Sequence, residues 1–134
     1  MIFLDASFIV AYLNEIDQNH SRAAATAEDV ARGKFGTSVM SDYIFDEVTT
    51  VMLVKTKDLP RVSRAGEQLL AANLLLRVGE DSFNSAWGIF RQQRKPSLSF
   101  TDCTTVATCR RNGISNICTF DKHFKELDEF KIIP

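Results

Sequence analysis

The stretch that most constrains this chain is Leu98 to Phe124, LSFTDCTTVATCRRNGISNICTFDKHF. Ser99 followed three residues later by Asp102, just ahead of Val106 and Ala107, is a helix-start signal. About three helical turns fit before Asn112-Gly113, a pair suited to a left-handed C-cap. A β-favouring run, Asn116 to Phe120, then stops at Asp121. One acid is thus expected at a helix N-terminus and another just past a strand. The chain opens with the same strand-then-acid pattern, MIFL running into Asp5.

The rest of the chain alternates in the same way. Met1 to Leu4 reads as a short buried strand, and Asp5 to Ser7 opens a helix through about Asn14. His20 to Arg32 reads as an Ala-rich surface helix ending at Gly33, with Lys34 to Ser38 a second short strand. Ser41 to Lys57 is a long helix, because Ile44, Val48 and Val51 fall at helical spacing. Pro60 suits the first turn of a helix reaching about Ala72, and Leu74 to Val78 reads as a third strand. Glu80 to Arg94 carries Phe83, Trp87 and Phe90 on one helical stripe and is broken at Pro96 and Ser97. Phe130 to Ile133 supplies a fifth strand after the run at Asn116. Strands alternating with helices predict an α/β fold: a five-stranded, largely parallel sheet flanked by helices.

A length of 134 residues, with no repeat or linker-like tract, points to one domain spanning residues 1–134. Sixteen basic against 17 acidic residues give a net charge of −1, so binding to nucleic acid needs a local basic patch or bound cations. Three cysteines without a C-x-x-C pair fit a reducing, cytoplasmic setting, and no apolar run reaches the ~20 residues of a membrane span.

Asp5, Asp102 and Asp121 each have an ordinary reading as caps. All three nevertheless fall where strands give way to helices, and in a parallel sheet those strand ends share the edge where ligands bind. Glu47 is more telling: it lies about 60° from Ile44 and about 40° from Val51 around its helix, and so turns inward with the apolar stripe. An unpaired buried carboxylate is costly. Snorkelling past the core edge is the plain alternative. Clustered carboxylates repel one another unless a hard cation lies between them, and oxygen-only ligands suit Mg²⁺ or Mn²⁺.

At these residues the sequence resembles the PIN-domain ribonucleases and, within them, the VapC-type toxins of toxin–antitoxin pairs. The resemblance rests on IFLDASFIVAYL with Asp5 and Ser7, TSVMSDYIFDEVTTVM with Glu47, LSFTDCTTVATCRRNGI with Asp102, and ICTFDKHF with Thr119 and Asp121. The motifs are weak singly and specific in this order, and together they cover nearly the whole chain. The resemblance implies a PIN-like three-layer sandwich with a five-stranded parallel sheet, and an acidic quartet, Asp5, Glu47, Asp102 and Asp121, that binds Mg²⁺ or Mn²⁺ and catalyses RNA cleavage. Ser7 and Thr119 would orient the carboxylates, and cleavage would leave a 3′-hydroxyl and a 5′-phosphate. It also implies a homodimer and a cognate VapB-type antitoxin. An antitoxin Arg entering the acidic pocket would compete with metal, while apolar docking falls along the first helix and the Glu47 helix.

Other groups are weighed beside this set. Arg91, Arg94 and Lys95, with Arg110 and Arg111, suit RNA phosphates, yet cations at helix C-termini explain them equally well. Cys103, Cys109, Cys118 and His123 fit no zinc spacing and read as buried thiols with an unrelated His, and His20 reads as solvated. Neither G-x-x-x-x-G-K-[ST] nor G-x-G-x-x-G occurs. The rival functions are a PIN-like module that binds RNA or protein without cutting, and a phospho-acceptor domain. The second needs an acceptor Asp directly after a middle strand, where Asp81 sits too far along.

Overall fold

A computed structural model describes residues 1–95 and 97–134, so the helix break expected at Pro96 lies outside the described residues. The elements run β1 (Ile2–Leu4), α1 (Ala6–Leu13), α2 (His20–Ala31), β2 (Ser38–Ser41), α3 (Asp42–Thr56), α4 (Leu59–Ala72) and β3 (Leu74–Leu76). They continue through α5 (Glu80–Gln92), α6 (Phe100–Arg111), β4 (Asn116–Cys118), a 3₁₀ turn over Lys122–Glu126 and β5 (Lys131–Ile133). The five strands form one sheet in the order β3-β2-β1-β4-β5, and every pairing is parallel. The α/β expectation, with a parallel five-stranded sheet flanked by helices, is met.

A parallel sheet needs apolar cover on both faces. The central strands supply it: Ile2, Phe3, Val39, Met40, Ile117 and Cys118 are fully buried. From β1 the chain passes to β2 and β3 on one side, through α1 to α4, and then crosses back through α5 and α6 to β4 and β5. Right-handed crossovers that advance in opposite directions put their helices on opposite faces. They also open a crevice between the C-terminal ends of β1 and β4, where the strand order reverses.

One strand differs from its expected place. The second strand is Ser38–Ser41, not Lys34 to Ser38. Gly33 and Gly36 both take positive φ, and a Cβ on Gly36 would stand only 3.3 Å from the Met1 backbone N, so residues 33–37 turn before the strand begins. The ladder begins with Ile2 opposite Ser38. His20 also differs from the solvated reading: its Nδ1 lies 3.0 Å from the Ala11 carbonyl oxygen, tying the start of α2 to α1. The Phe83–Trp87–Phe90 stripe of α5 stays exposed and packs around Phe100, which also meets Tyr43. Among the described residues no helix is long and apolar enough to cross a membrane.

Candidate active site

Each of the three aspartates is a helix cap, and each also faces the crevice. Asp5 follows β1 and caps α1. It is 4% exposed, and its Oδ2 accepts bonds from Ser7 Oγ (2.6 Å), Ser7 N (3.2 Å) and Thr119 Oγ1 (2.7 Å). Thr119, just past β4, is itself buried, and its Oγ1 also accepts from Asp121 N at 3.0 Å. Ser7 Oγ lies 3.0 Å from that oxygen and accepts from Phe120 N. The β1 and β4 ends are thus stitched together by two hydroxyls and one carboxylate.

Asp102 stands at the third position of α6, in a complete capping box: its Oδ2 accepts from Ser99 N at 2.6 Å and its N–H donates to Ser99 Oγ at 3.1 Å. Asp121 caps the 3₁₀ turn, with Oδ1 2.9 Å from both the His123 backbone N and its Nδ1. Glu47 projects from α3, whose Ile44 and Val48 are buried below it. It is half-buried and, among the described residues, makes no hydrogen bond or ion pair.

The four acids line one cavity of about 370 Å³ with Ala6, Ser7, Val10, Asp17, Asn19, Val51, Lys55 and Phe120. Burial raises the carboxyl of Asp5 above its ordinary value, against the opposing bonds from Ser7 and Thr119. Burial also raises Glu47, followed by the negative charges of Asp5, Asp102, Asp46 and Asp121. Asp102 is raised by burial first and by Asp5 and Asp121 last, with the Ser99 bonds working the other way. The cavity is therefore a concentration of negative charge, with Lys55 the only cation among its lining residues.

As the side chains stand, among the described residues no group of three His, Cys, Asp or Glu residues is gathered tightly enough to hold a metal ion. The donor chemistry nevertheless suits a hard divalent cation: all the acidic donors are oxygens, and their negative charge helps to raise Glu47 and Asp102. Glu47, with no bond to break and a long flexible side chain, is free to turn inward.

Of the residues expected at the site, Asp5, Ser7, Glu47, Asp102 and Asp121 line one cavity, and Thr119 bonds to Asp5. Arg91, Arg94 and Lys95 do not line it; Arg91 instead lies 5.8 Å over the Trp87 ring. Arg110 pairs with Glu129 at 2.6 Å and Arg111 with Asp81 at 2.9 Å, so both serve the scaffold. Burial pushes the thiols of Cys103, Cys109 and Cys118 up to about 11, 12 and 12, as inert core residues. The sequence reading missed Lys55 and Phe120. Lys55 was legible, since it follows Glu47 and Val51 at four-residue steps along one helix face.

A separate apolar groove of about 480 Å³ runs between α1, α2, α4 and the start of β2, walled by Phe8, Tyr12, Leu13, Val30 and Leu69. The apolar surface expected along the first helix is there, with α2 and α4 as its other walls, and a second apolar hollow lies between α3 and α4, lined by Phe45, Leu53, Val62 and Leu70.

The PIN domain family model matches residues 2–130. The chain is 27% identical over 134 residues to the 23S rRNA-specific endonuclease VapC20 of Mycobacterium tuberculosis, covering 100% of this chain and 99% of that one. The crystal structure of that protein, a sarcin–ricin-loop-cleaving toxin, superposes with a TM-score of 0.84 at 25% identity over the full length of both chains. Two further structures share the fold. VapBC2 from Rickettsia felis bound to a promoter DNA fragment has a TM-score of 0.72 at 12% identity, covering 99% of this chain and 98% of that one. A toxin–antitoxin complex from Klebsiella pneumoniae has a TM-score of 0.67 at 15% identity, covering 100% and 97%.

Proposed function

The chain belongs to the PIN-domain family, and from that premise we propose that it is a metal-dependent endoribonuclease, the toxin of a VapBC-type toxin–antitoxin pair. The observation that carries this reading is the convergence of Asp5, Glu47, Asp102 and Asp121 on one cavity at the strand-order reversal, with three of the four carboxyls raised.

Those four residues would hold Mg²⁺ or Mn²⁺. When bound, such an ion acidifies water for attack on phosphorus and neutralises charge building up on the phosphate oxygens. The chain's own contribution is orientation. Ser7 and Thr119 hold Asp5 in one rotamer, and a donor that fixes a ligand's partner oxygen governs affinity strongly. The capping box fixes Asp102 to the start of α6, and the Asp121 carboxylate is braced by His123. Asp5 is buried, and Leu4, Phe8 and Ile9 close to it in the chain belong to the hydrophobic core.

The substrate we assign is a structured RNA, by likeness to the rRNA-cleaving relative: the sarcin–ricin loop of 23S rRNA. The test is incubation of a sarcin–ricin stem-loop oligonucleotide with the protein and Mg²⁺ or Mn²⁺, followed by mapping of the product ends. A single cut leaving a 3′-hydroxyl and a 5′-phosphate is expected. Binding of the RNA without any cut would favour the rival binding module.

The partners follow from two surfaces. The apolar α1–α2–α4 groove accepts an amphipathic antitoxin segment, and an antitoxin Arg entering the carboxylate cavity would displace metal. The α5 face leaves Phe83 43%, Trp87 47% and Phe90 39% exposed, a clustered aromatic face of the kind that suits protein–protein contact. Packing this face against its copy across a two-fold axis would cover Phe83, Trp87 and Phe90 of both chains, a self-complementary homodimer contact. Light scattering checks it: Trp87→Glu should bring the mass down to that of a monomer, and an unchanged dimer mass would place the contact elsewhere. We take residues 1–134 as the one domain that carries all of these surfaces.

A further inference from the structure

RNA must bring its phosphates to a cavity lined by five carboxylates, the four acids above and Asp17, and those carboxylates repel it. The cations that overcome this repulsion have to stand at the cavity rim. The sequence suggested the end of α5, but Arg91, Arg94 and Lys95 do not line the cavity. Two other cations are better placed, one lining the cavity and one lying over a ring that lines it. Lys55 lines the cavity itself, two helical turns beyond Glu47 on the same face of α3. It also borders a neighbouring hollow containing Glu15 and Asp58, and among the described residues it pairs with neither. On the other side Phe120 lines the cavity, its ring 6.2 Å from that of Phe8, and the Arg22 guanidinium lies 5.2 Å over the Phe120 ring. Arg22 is exposed and likewise forms no ion pair among the described residues.

Sheet order separates the two cations. β1, which delivers Asp5, lies between β2, which feeds α3 and Lys55, and β4, which feeds Phe120. Asp5 therefore lies between the strand ends that lead to the two cations. A guanidinium laid on an aromatic face keeps its N–H edge free for a phosphate while its position is fixed. A Lys on an exposed helix face offers a mobile point charge.

We propose that Arg22 and Lys55 hold the RNA phosphates on either side of the scissile bond, so that the strand crosses the cavity from the start of α2 to the last turns of α3. This rests on the nuclease reading of the same cavity. Phe120 acts as a positioning residue that holds Arg22 on its ring.

The test uses the sarcin–ricin stem-loop oligonucleotide with Arg22→Ala, Lys55→Ala and the double variant. Both side chains are exposed, so folding is expected to be retained. Each single change should raise KM about tenfold with kcat nearly unchanged, the loss of one charged phosphate contact. The slope of log(kcat/KM) against log salt should become shallower by about 0.7 per cation removed. Arg22→Lys and Lys55→Arg should restore most of the slope, while Arg94→Ala with Lys95→Ala should leave it as in wild type. Fluorescence anisotropy of the same RNA, labelled and bound to the Asp102→Asn protein, reads the slope without turnover. An unchanged slope and KM in the double variant of an otherwise active enzyme would overturn the proposal and leave the nuclease reading standing. A shallower anisotropy slope alongside a wild type that cuts nothing would uphold the contacts and sink the nuclease reading.

Discussion

The two walls of the carboxylate cavity are built differently. On the strand side Asp5 is almost wholly buried, yet Ser7 and Thr119 bond to it, and Asp121 and Asp102 each accept a backbone N–H. On the helix side Glu47 and Lys55 share a face of α3 and, among the described residues, bond to nothing. A buried charge is tolerated where hydrogen bonds replace water, and it costs stability where they do not. The strand side is therefore a fixed template whose geometry is paid for by backbone and hydroxyl donors. The helix side carries charge that only a cation or a substrate would balance.

The largest effect expected is at Asp102. Asn keeps the N–H acceptor geometry of the capping box and removes the charge. Asp102→Asn should melt within a few degrees of wild type and lose about a thousandfold in cleavage rate, equivalent to roughly 4 kcal/mol of charge stabilisation. If it cuts at the wild-type rate, Asp102 is a cap and nothing more, and the contrast between the walls loses its chemical meaning.

Thr119→Val probes the template directly. It deletes the 2.7 Å donor to Asp5 and the acceptor of Asp121 N while keeping the volume. A loss of about 2 kcal/mol in denaturant unfolding is expected, the scale for hydrogen bonds to a charged group. Divalent-metal affinity should fall by about tenfold or more. A stability change near zero would mean that the hydroxyl does not hold Asp5.

A buried threonine elsewhere should respond with the opposite sign. Thr105 and Thr108 of α6 bury hydroxyls with no hydrogen-bond partner among the described residues. Thr105→Val removes an unsatisfied polar atom and should stabilise the fold by about 1 kcal/mol in the same unfolding assay. Destabilisation there would show that its hydroxyl does find a partner in solution, and the sign rule would fail.

The smallest effect is at Glu47 and reads through pH. Burial raises Asp5, Glu47 and Asp102 above their ordinary values of 3.8, 4.5 and 3.8, with neighbouring negative charge adding to it at Glu47 and Asp102. The folded chain thus keeps protons that the unfolded chain has released. The raised groups contribute stability below those ordinary values and lose it as pH climbs through the folded ones. Metal-free wild type should therefore melt lower as pH rises from about 4 toward neutrality, where ordinary carboxylates have already ionised. Glu47→Gln should flatten that descent, melt slightly higher at neutral pH, and gain less from Mg²⁺ than wild type. Equal metal-induced shifts in Tm for the two proteins would remove Glu47 from the ligand set.

The two walls were unequally legible in sequence. The strand side was written locally: MIFL into Asp5, NICTF into Asp121 and the Ser99–Asp102 box are short patterns, and each fell where the pattern placed it. Glu47 was legible because helical periodicity turned it inward with Ile44. Arg22 and Phe120 were not, because their contact joins residues 98 positions apart and depends on how α2 lies over the end of β4. The two readings left open for the basic residues had the same cause. Arg110 and Arg111 find Glu129 and Asp81 only after the chain folds, and no spacing rule links them. The shift of the second strand to Ser38–Ser41 goes with the positive φ of Gly33 and Gly36, two glycines that carry a turn signal in the sequence.

The most direct test of the central claim is cleavage of the stem-loop RNA by metal-stripped protein, before and after Mg²⁺ or Mn²⁺ is added back. Cleavage should be absent in chelator and return with either ion in wild type, with Asp102→Asn staying silent in both. Cutting at the wild-type rate in chelator would contradict the account, because the four carboxylates would then be catalysing nothing through a metal.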